Sequence, residues 1–181
     1  MDFSWSSEQL AYKAKVCEFA ERELNDNLVE RDAAAQFSRA AWSKCVEFGI
    51  LGLSVPAEYG GGRDTDFLTA MLAMEAMGYG CQDNGLTFAL NTQLWTVQLP
   101  IVKFGSEEQK RRYLPDLCAG KLIGAHAITE PDSGSDVFAM QCRAERRGDG
   151  YVLNGIKRFV SLGPIADLVL VFANADPRAG R

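Results

Sequence analysis

A chain of 181 residues with 47% hydrophobic and 24% charged content can form one ordinary domain or two small ones, and it is too apolar to be disordered. Its 24 acidic against 19 basic residues give a net charge of −5, which argues against a nucleic-acid partner, because such proteins carry a basic face. Five cysteines without a CxxC pair and a single histidine, His126, fit a zinc site poorly; reduced, mostly buried thiols in a cytoplasmic protein are expected.

The N-terminal residues show no basic stretch followed by an apolar run, so no signal peptide is expected. Ser6 and Gln9 have the spacing of a capping box, and Leu10, Ala14, Cys17, Ala20, Leu24 and Leu28 recur at three or four residues, which predicts one amphipathic helix over about 7–28. A second helix is predicted from Ser38, burying Trp42, Cys45 and Val46 and stopping at Gly49. Ile50 to Val55 is an apolar link. Pro56 to Gly62, with three consecutive glycines, reads as a loop, and Arg63 and Asp64 continue it into solvent. Asp64 or Asp66 can cap a helix carrying Leu68, Met71, Leu72 and Glu75, in which Met71, Met74 and Met77 act as adaptable core filler. Asn84 to Leu94 reads as a buried helix, and Pro100 suits the start of a helical turn that closes at Gly105. The apolar stretch from Leu86 to Phe104 is broken by Asn91, Gln93, Gln98 and Pro100, so no membrane span is predicted. Ser106 and Gln109 form a second capping box, for a helix that ends at Gly120 and exposes Lys110, Arg111 and Arg112.

After Lys121 the period changes. Leu122 to Ile128 is short and apolar, Met140 to Arg146 alternates, Arg147 to Gly150 is a turn, and Tyr151 to Leu153, Arg158 to Val160 and Asp167 to Phe172 read as strands. The expected fold class is therefore α+β: an all-α helical domain over 1–121, then an incomplete antiparallel β-barrel-like domain over 122–181. Its sheet edge would be open, and more chain is expected to cover it rather than a second protein.

Between His126 and Asp136 a strand runs into a turn containing Pro131 and Gly134, flanked by the hydroxyls of Thr129, Ser133 and Ser135. Small residues let backbone approach a ligand, and successive N–H groups can form an anion nest. A phosphate-bearing ligand and a plain polar turn are both compatible with this composition. Neither GxGxxG nor GxxxxGK[ST] is present, so no Rossmann or P-loop site is indicated.

The run TEPDSGSD resembles the signature of the acyl-CoA dehydrogenases. VPAEYGGG, FGSEEQKRRYLPDLCAGK and NGIKRFVSLGPIADLVLVFA resemble further stretches of that family in the same order, so the resemblance spans most of the chain. It implies a flavoprotein that binds FAD. By position, Ile128 and Thr129 are similar to the residues meeting the flavin pyrimidine edge, and Gly134 and Ser135 to those facing the pyrophosphate. Phe159 stands where the family usually has Trp against the ring system, and Ser161 where it has Thr near N5. Leu162 replaces a common Asn. His126 falls at a position that is often aromatic, bordering the flavin or acyl pocket, where a satisfied strand-end histidine is the plainer reading. Glu130 belongs to the signature and is expected to make structural hydrogen bonds rather than act as the base.

The resemblance further implies α,β-dehydrogenation of an acyl thioester, acyl-CoA to trans-2-enoyl-CoA, with an electron-transfer flavoprotein as acceptor and a homodimeric or homotetrameric assembly. The family's catalytic Glu lies in a carboxy-terminal helical bundle, expected beyond Arg181, so no catalytic residue is assigned within these residues and the isolated chain is expected to be inactive. A related flavin oxidase or monooxygenase, a dehydrogenase acting on an acyl-carrier-protein thioester, and a non-catalytic subunit of a heteromeric dehydrogenase are the alternatives.

Overall fold

In a computed structural model of the chain, residues 4–62 and 66–176 are described, so Arg63 and Asp64 lie outside them. The chain divides into two compact units, Met1–Leu122 and Ile123–Arg181.

The first unit is helical. Helix α1 (Ser7–Glu23) opens with the capping box: Gln9 N donates to Ser6 Oγ at 3.1 Å, and Ser6 N donates to Gln9 Oε1 at 2.9 Å. It ends earlier than its apolar spacing predicts. Asn25 spends its side chain on tertiary bonds, donating to Gly80 O (2.9 Å) and accepting from Gln82 N (2.7 Å), and Asn27 turns left-handed at φ 50° before the short α2 (Leu28–Ala33). Side-chain bonds of this kind compete with helix continuation. The buried face of α1 is Val16 and Ala20, continued by Leu24 at its end, while Leu10 points outward. It packs on α4 (Phe67–Gly80), which Asp66 caps by accepting from Thr69 N. The approach is close: a Cβ on Gly80 would stand 2.5 Å from Cys17 O.

Helix α3 (Arg39–Phe48) is capped by Ser38 and stops at left-handed Gly49, burying Trp42 and Cys45. Met74 and Met77 are buried filler, as their spacing predicts, whereas Leu68 is exposed. Helix α5 (Asn84–Asn91) runs through a π-helical stretch, Thr92–Gln98, directly into α6 (Leu99–Phe104). Pro100 has no N–H to donate to the Thr96 carbonyl. The Thr92 and Thr96 hydroxyls bond back to Phe88 O and Thr92 O, at 3.0 and 2.8 Å, which further loosens the ladder. The glutamines that interrupt the apolar run point inward and are satisfied: Gln93 donates to Leu117 O and Leu122 O, and Gln98 to Leu51 O while accepting from Ser54 Oγ. The second capping box opens α7 (Glu107–Cys118). Among the described residues, no helix is long and apolar enough to cross a membrane.

The second unit holds β1 (Gly124–Ala127), β2 (Arg143–Arg147), β3 (Gly150–Asn154) and β4 (Leu168–Val171). Strands β2 and β3 form the expected antiparallel hairpin, turning at Gly148 with φ 60°. Strands β1 and β4 pair in parallel, with His126 opposite Leu170, because the long connection between them returns the chain to the same end of the strand. The strand predicted at Arg158 to Val160 does not form: Phe159 sits at φ 55°, which no strand accommodates.

Candidate functional site

Strand β1 ends at Ala127 and delivers Ile128, Thr129 and Glu130 into a tight turn. Glu130 N donates to Ser133 O at 2.8 Å and Ser133 N returns to Glu130 O at 3.3 Å, with Pro131 pre-setting the first corner. Ser133 Oγ closes the next step by donating to Asp136 O at 2.8 Å.

The Glu130 side chain is only 5% exposed, and a buried carboxylate needs compensation. Cys142 N (2.9 Å) and Lys157 Nζ (2.8 Å) donate to Oε1, and Gln141 N (2.6 Å) to Oε2. Burial pushes the Glu130 carboxyl up, but the bonds from Lys157 and the two amides outweigh it and hold the pKa below the usual carboxylate value. Glu130 is thus a structural hub, fixed as an anion and occupied on both oxygens. Lys157 Nζ also donates to Ile128 O at 2.8 Å, and Arg158 N donates to Thr129 O at 2.9 Å. The segment from Gly155 returns to this place by passing tightly over Cys142, since a Cβ on Gly155 would stand 2.7 Å from Cys142 Cα.

These bonds seat the 157–161 segment beside Ile128 and Thr129. Phe159 projects with 88% of its surface exposed and a left-handed backbone, and Leu162 is left-handed too, at φ 64°. Sparsely populated backbone of this kind concentrates at functional sites. Ser161 lies between them. Among the described residues, the hydroxyls of Thr129, Ser135 and Ser161 have no hydrogen-bond partner, although Ser133 in the same turn has one. A Cβ on Gly134 would meet nothing within 4 Å, so the turn is open there. His126 is half-buried, its ring edge-on to Phe172 with centroids 5.0 Å apart, and burial pushes its pKa down from 6.5. An exposed aromatic face, uncommitted hydroxyls and an open glycine turn suit a planar ligand with phosphates.

The geometry brings Ile128 and Thr129 against the segment bearing Phe159 and Ser161, and it carries Gly134 and Ser135 on the turn that Glu130 anchors. Lys157 was missed by sequence reasoning. Its only signal is its place two residues ahead of Phe159, since nothing local shows which carboxylate it meets.

Residues 6–121 match the acyl-CoA dehydrogenase N-terminal domain, and residues 125–181 match the acyl-CoA dehydrogenase middle domain. The chain belongs to the acyl-CoA dehydrogenase family. Among solved structures, this family member is similar to a prolyl acyl carrier protein oxidase, AnaB, at 46% identity and a TM-score of 0.92, covering 98% of this chain and 47% of that one. It is similar to PigA, solved with FAD and proline, at 37% identity and a TM-score of 0.92, covering 99% and 47%. Among curated proteins, it is 38% identical to the mitochondrial isovaleryl-CoA dehydrogenase of Bos taurus over 96% of this chain and 41% of that protein. This chain thus spans about half the length of the curated relatives it matches.

Proposed function

We propose that this chain supplies the helical domain and part of the FAD site of an enzyme that oxidises the Cα–Cβ bond of an acyl thioester held on a carrier protein, with a prolyl group as the preferred acyl. The observation that carries the cofactor part is the Glu130-anchored turn, with three free hydroxyls and the exposed Phe159 ring beside it. The carrier-bound prolyl part is supported by the likeness to a prolyl acyl carrier protein oxidase at 46% identity and to PigA, solved with FAD and proline.

When bound, FAD supplies the oxidised ring system that takes up the hydride leaving the β carbon. The residues of this chain hold and orient it. Thr129 and Ser161 offer hydroxyls to the ring's polar edge, Phe159 offers a face, and Gly134 and Ser135 present backbone and hydroxyl to the pyrophosphate. The α proton must go to a carboxylate within reach, and Glu130 is not proposed for it, since both its oxygens are taken by Lys157, Gln141 and Cys142.

The test is anaerobic mixing of the complete flavin-loaded enzyme to which this chain contributes with L-prolyl carrier protein and, separately, with isovaleryl-CoA. Rapid bleaching of the flavin by the prolyl carrier protein, and slow or no bleaching by the CoA ester, is the expected result. Bleaching by the CoA ester alone would replace the carrier-protein reading with a CoA one. An electron-transfer flavoprotein is the proposed acceptor, and fast reoxidation by oxygen instead would mark an oxidase.

A further inference from the structure

We propose that Lys157 is a positioning residue for the cofactor: through Glu130 and the Ile128 carbonyl it sets where the Phe159–Ser161 segment lies against Ile128 and Thr129. The proposal rests on the FAD reading above and goes further, because it assigns the cradle's geometry to a side chain that is only 10% exposed and is committed to Glu130 and the Ile128 carbonyl.

Three observations carry it. Lys157 bridges two chain segments with one ammonium, donating at 2.8 Å to Ile128 O on one and at 2.8 Å to Glu130 Oε1 beside it, with only 10% of its side chain exposed. The next residue adds the backbone bond Arg158 N to Thr129 O, so the tie acts immediately upstream of Phe159 and Ser161. Beyond that tie the chain takes two left-handed turns, at Phe159 and Leu162, which side-chain-bearing residues avoid unless neighbouring structure imposes them.

The charge balance explains why a lysine serves here. Its ammonium reaches a backbone carbonyl and a carboxylate together, and Glu130 in turn holds the amides of Gln141 and Cys142. The Lys157 position is thereby fixed from the 141–142 segment as well as from the turn. Removing the ammonium leaves Glu130 a buried anion with one partner fewer, and such a group draws in water or moves outward. Either response shifts the turn carrying Gly134 and Ser135 and the segment carrying Phe159 and Ser161 relative to each other.

The experiment compares wild type, Lys157→Met, Lys157→Arg and Glu130→Gln in the complete flavin-containing enzyme to which this chain contributes. It reads the FAD dissociation constant by reconstitution of apoprotein, the visible circular dichroism of bound flavin, and the thermal midpoint. Lys157→Met is expected to weaken FAD at least about tenfold, as fits loss of one partner of a buried charge pair, and to change the flavin's dichroism. Lys157→Arg is expected to recover most of both. If Lys157→Met does not fold, Glu130→Gln is read in the same way, since it removes the charge that holds the ammonium. An unchanged dissociation constant and dichroism in a soluble variant, even with a lowered midpoint, would reduce Lys157 to a stabilising ion pair and overturn the proposal. A wild-type protein that takes up no FAD would instead sink the flavin reading itself, and the positioning role with it.

Discussion

At Glu130 the cost of burying a carboxylate is met by one ammonium and two backbone amides, and this makes the residue sensitive to acid. Its folded pKa lies below its ordinary value, whereas the unfolded chain takes up the proton near the reference value of about 4.3. The folded state therefore binds fewer protons in that window. The stabilisation is fully present above the unfolded pKa and is lost as pH falls through the folded one. Glu130→Gln is expected to cost roughly 3 kcal/mol at neutral pH by stranding Lys157, and to flatten the fall in stability below about pH 4; denaturant melts across pH check both. Leu162 is the opposite kind of residue, since its left-handed backbone disfavours a Leu side chain, while its carbonyl accepts from Ile165 N at 2.9 Å whatever the side chain. Leu162→Asn should raise stability by about 1 kcal/mol, because Asn tolerates that conformation. Phe159 and Ser161 were legible as cofactor-facing candidates from their motif. What Leu162 costs was not, because a motif compares side chains and says nothing of φ.

Elements with local causes could be read from the chain; elements with distant causes could not. Both capping boxes form as their four-residue spacing predicts, since every atom involved lies within one turn. Ser106→Ala should cost about 1 kcal/mol and speed amide exchange at Gln109, the N–H that loses its acceptor. By contrast, α1 stops short because Asn25 finds Gly80 and Gln82, residues far along the chain. The contact that makes this possible is itself tight: Gly80→Ala pushes a methyl to 2.5 Å from Cys17 O and must separate α1 from α4. A loss of roughly 2 kcal/mol is expected, measured by urea unfolding; a neutral result would mean the helices slide apart freely. The parallel pairing of β1 with β4 was hidden for the same reason, since strand direction depends on the path between strands and not on either strand's sequence.

Across the whole molecule the two units differ in how they hold themselves together. The helical unit encloses large side chains entirely, among them Ile50, Leu51, Leu72, Met77, Leu90, Leu94, Leu114 and Leu117, each worth about 1.5–3 kcal/mol of apolar burial. In the β unit the hairpin is exposed almost throughout, with Tyr151, Val152 and Leu153 open on β3, and the order around Glu130 comes from polar bonds. Hydrogen exchange should therefore find the slowest amides in α4, α5 and the buried part of α7, and the fastest among paired amides in the β2–β3 hairpin. Equal protection in both places would contradict this division. The α+β order was legible because the hydrophobic period switches near Lys121. How little apolar surface the second part encloses was not, since strand patterns give alternation and not depth.

The π-helical stretch Thr92–Gln98 gives that helix one place where the chain can shorten without losing its phase. A wide turn holds more residues per revolution than an α turn, so the chain there carries surplus length that the ladder absorbs. Deleting one residue would let the segment relax to ordinary α spacing with the residues downstream on nearly the same face, whereas the same deletion within the regular helix α4 would swing everything beyond it by about 100° around the axis. Gln98 would then still present its amide to the Leu51 carbonyl and the Ser54 hydroxyl. Single-residue deletions in 92–98 should therefore be tolerated better than single-residue deletions within α4, in a library scored for folded protein.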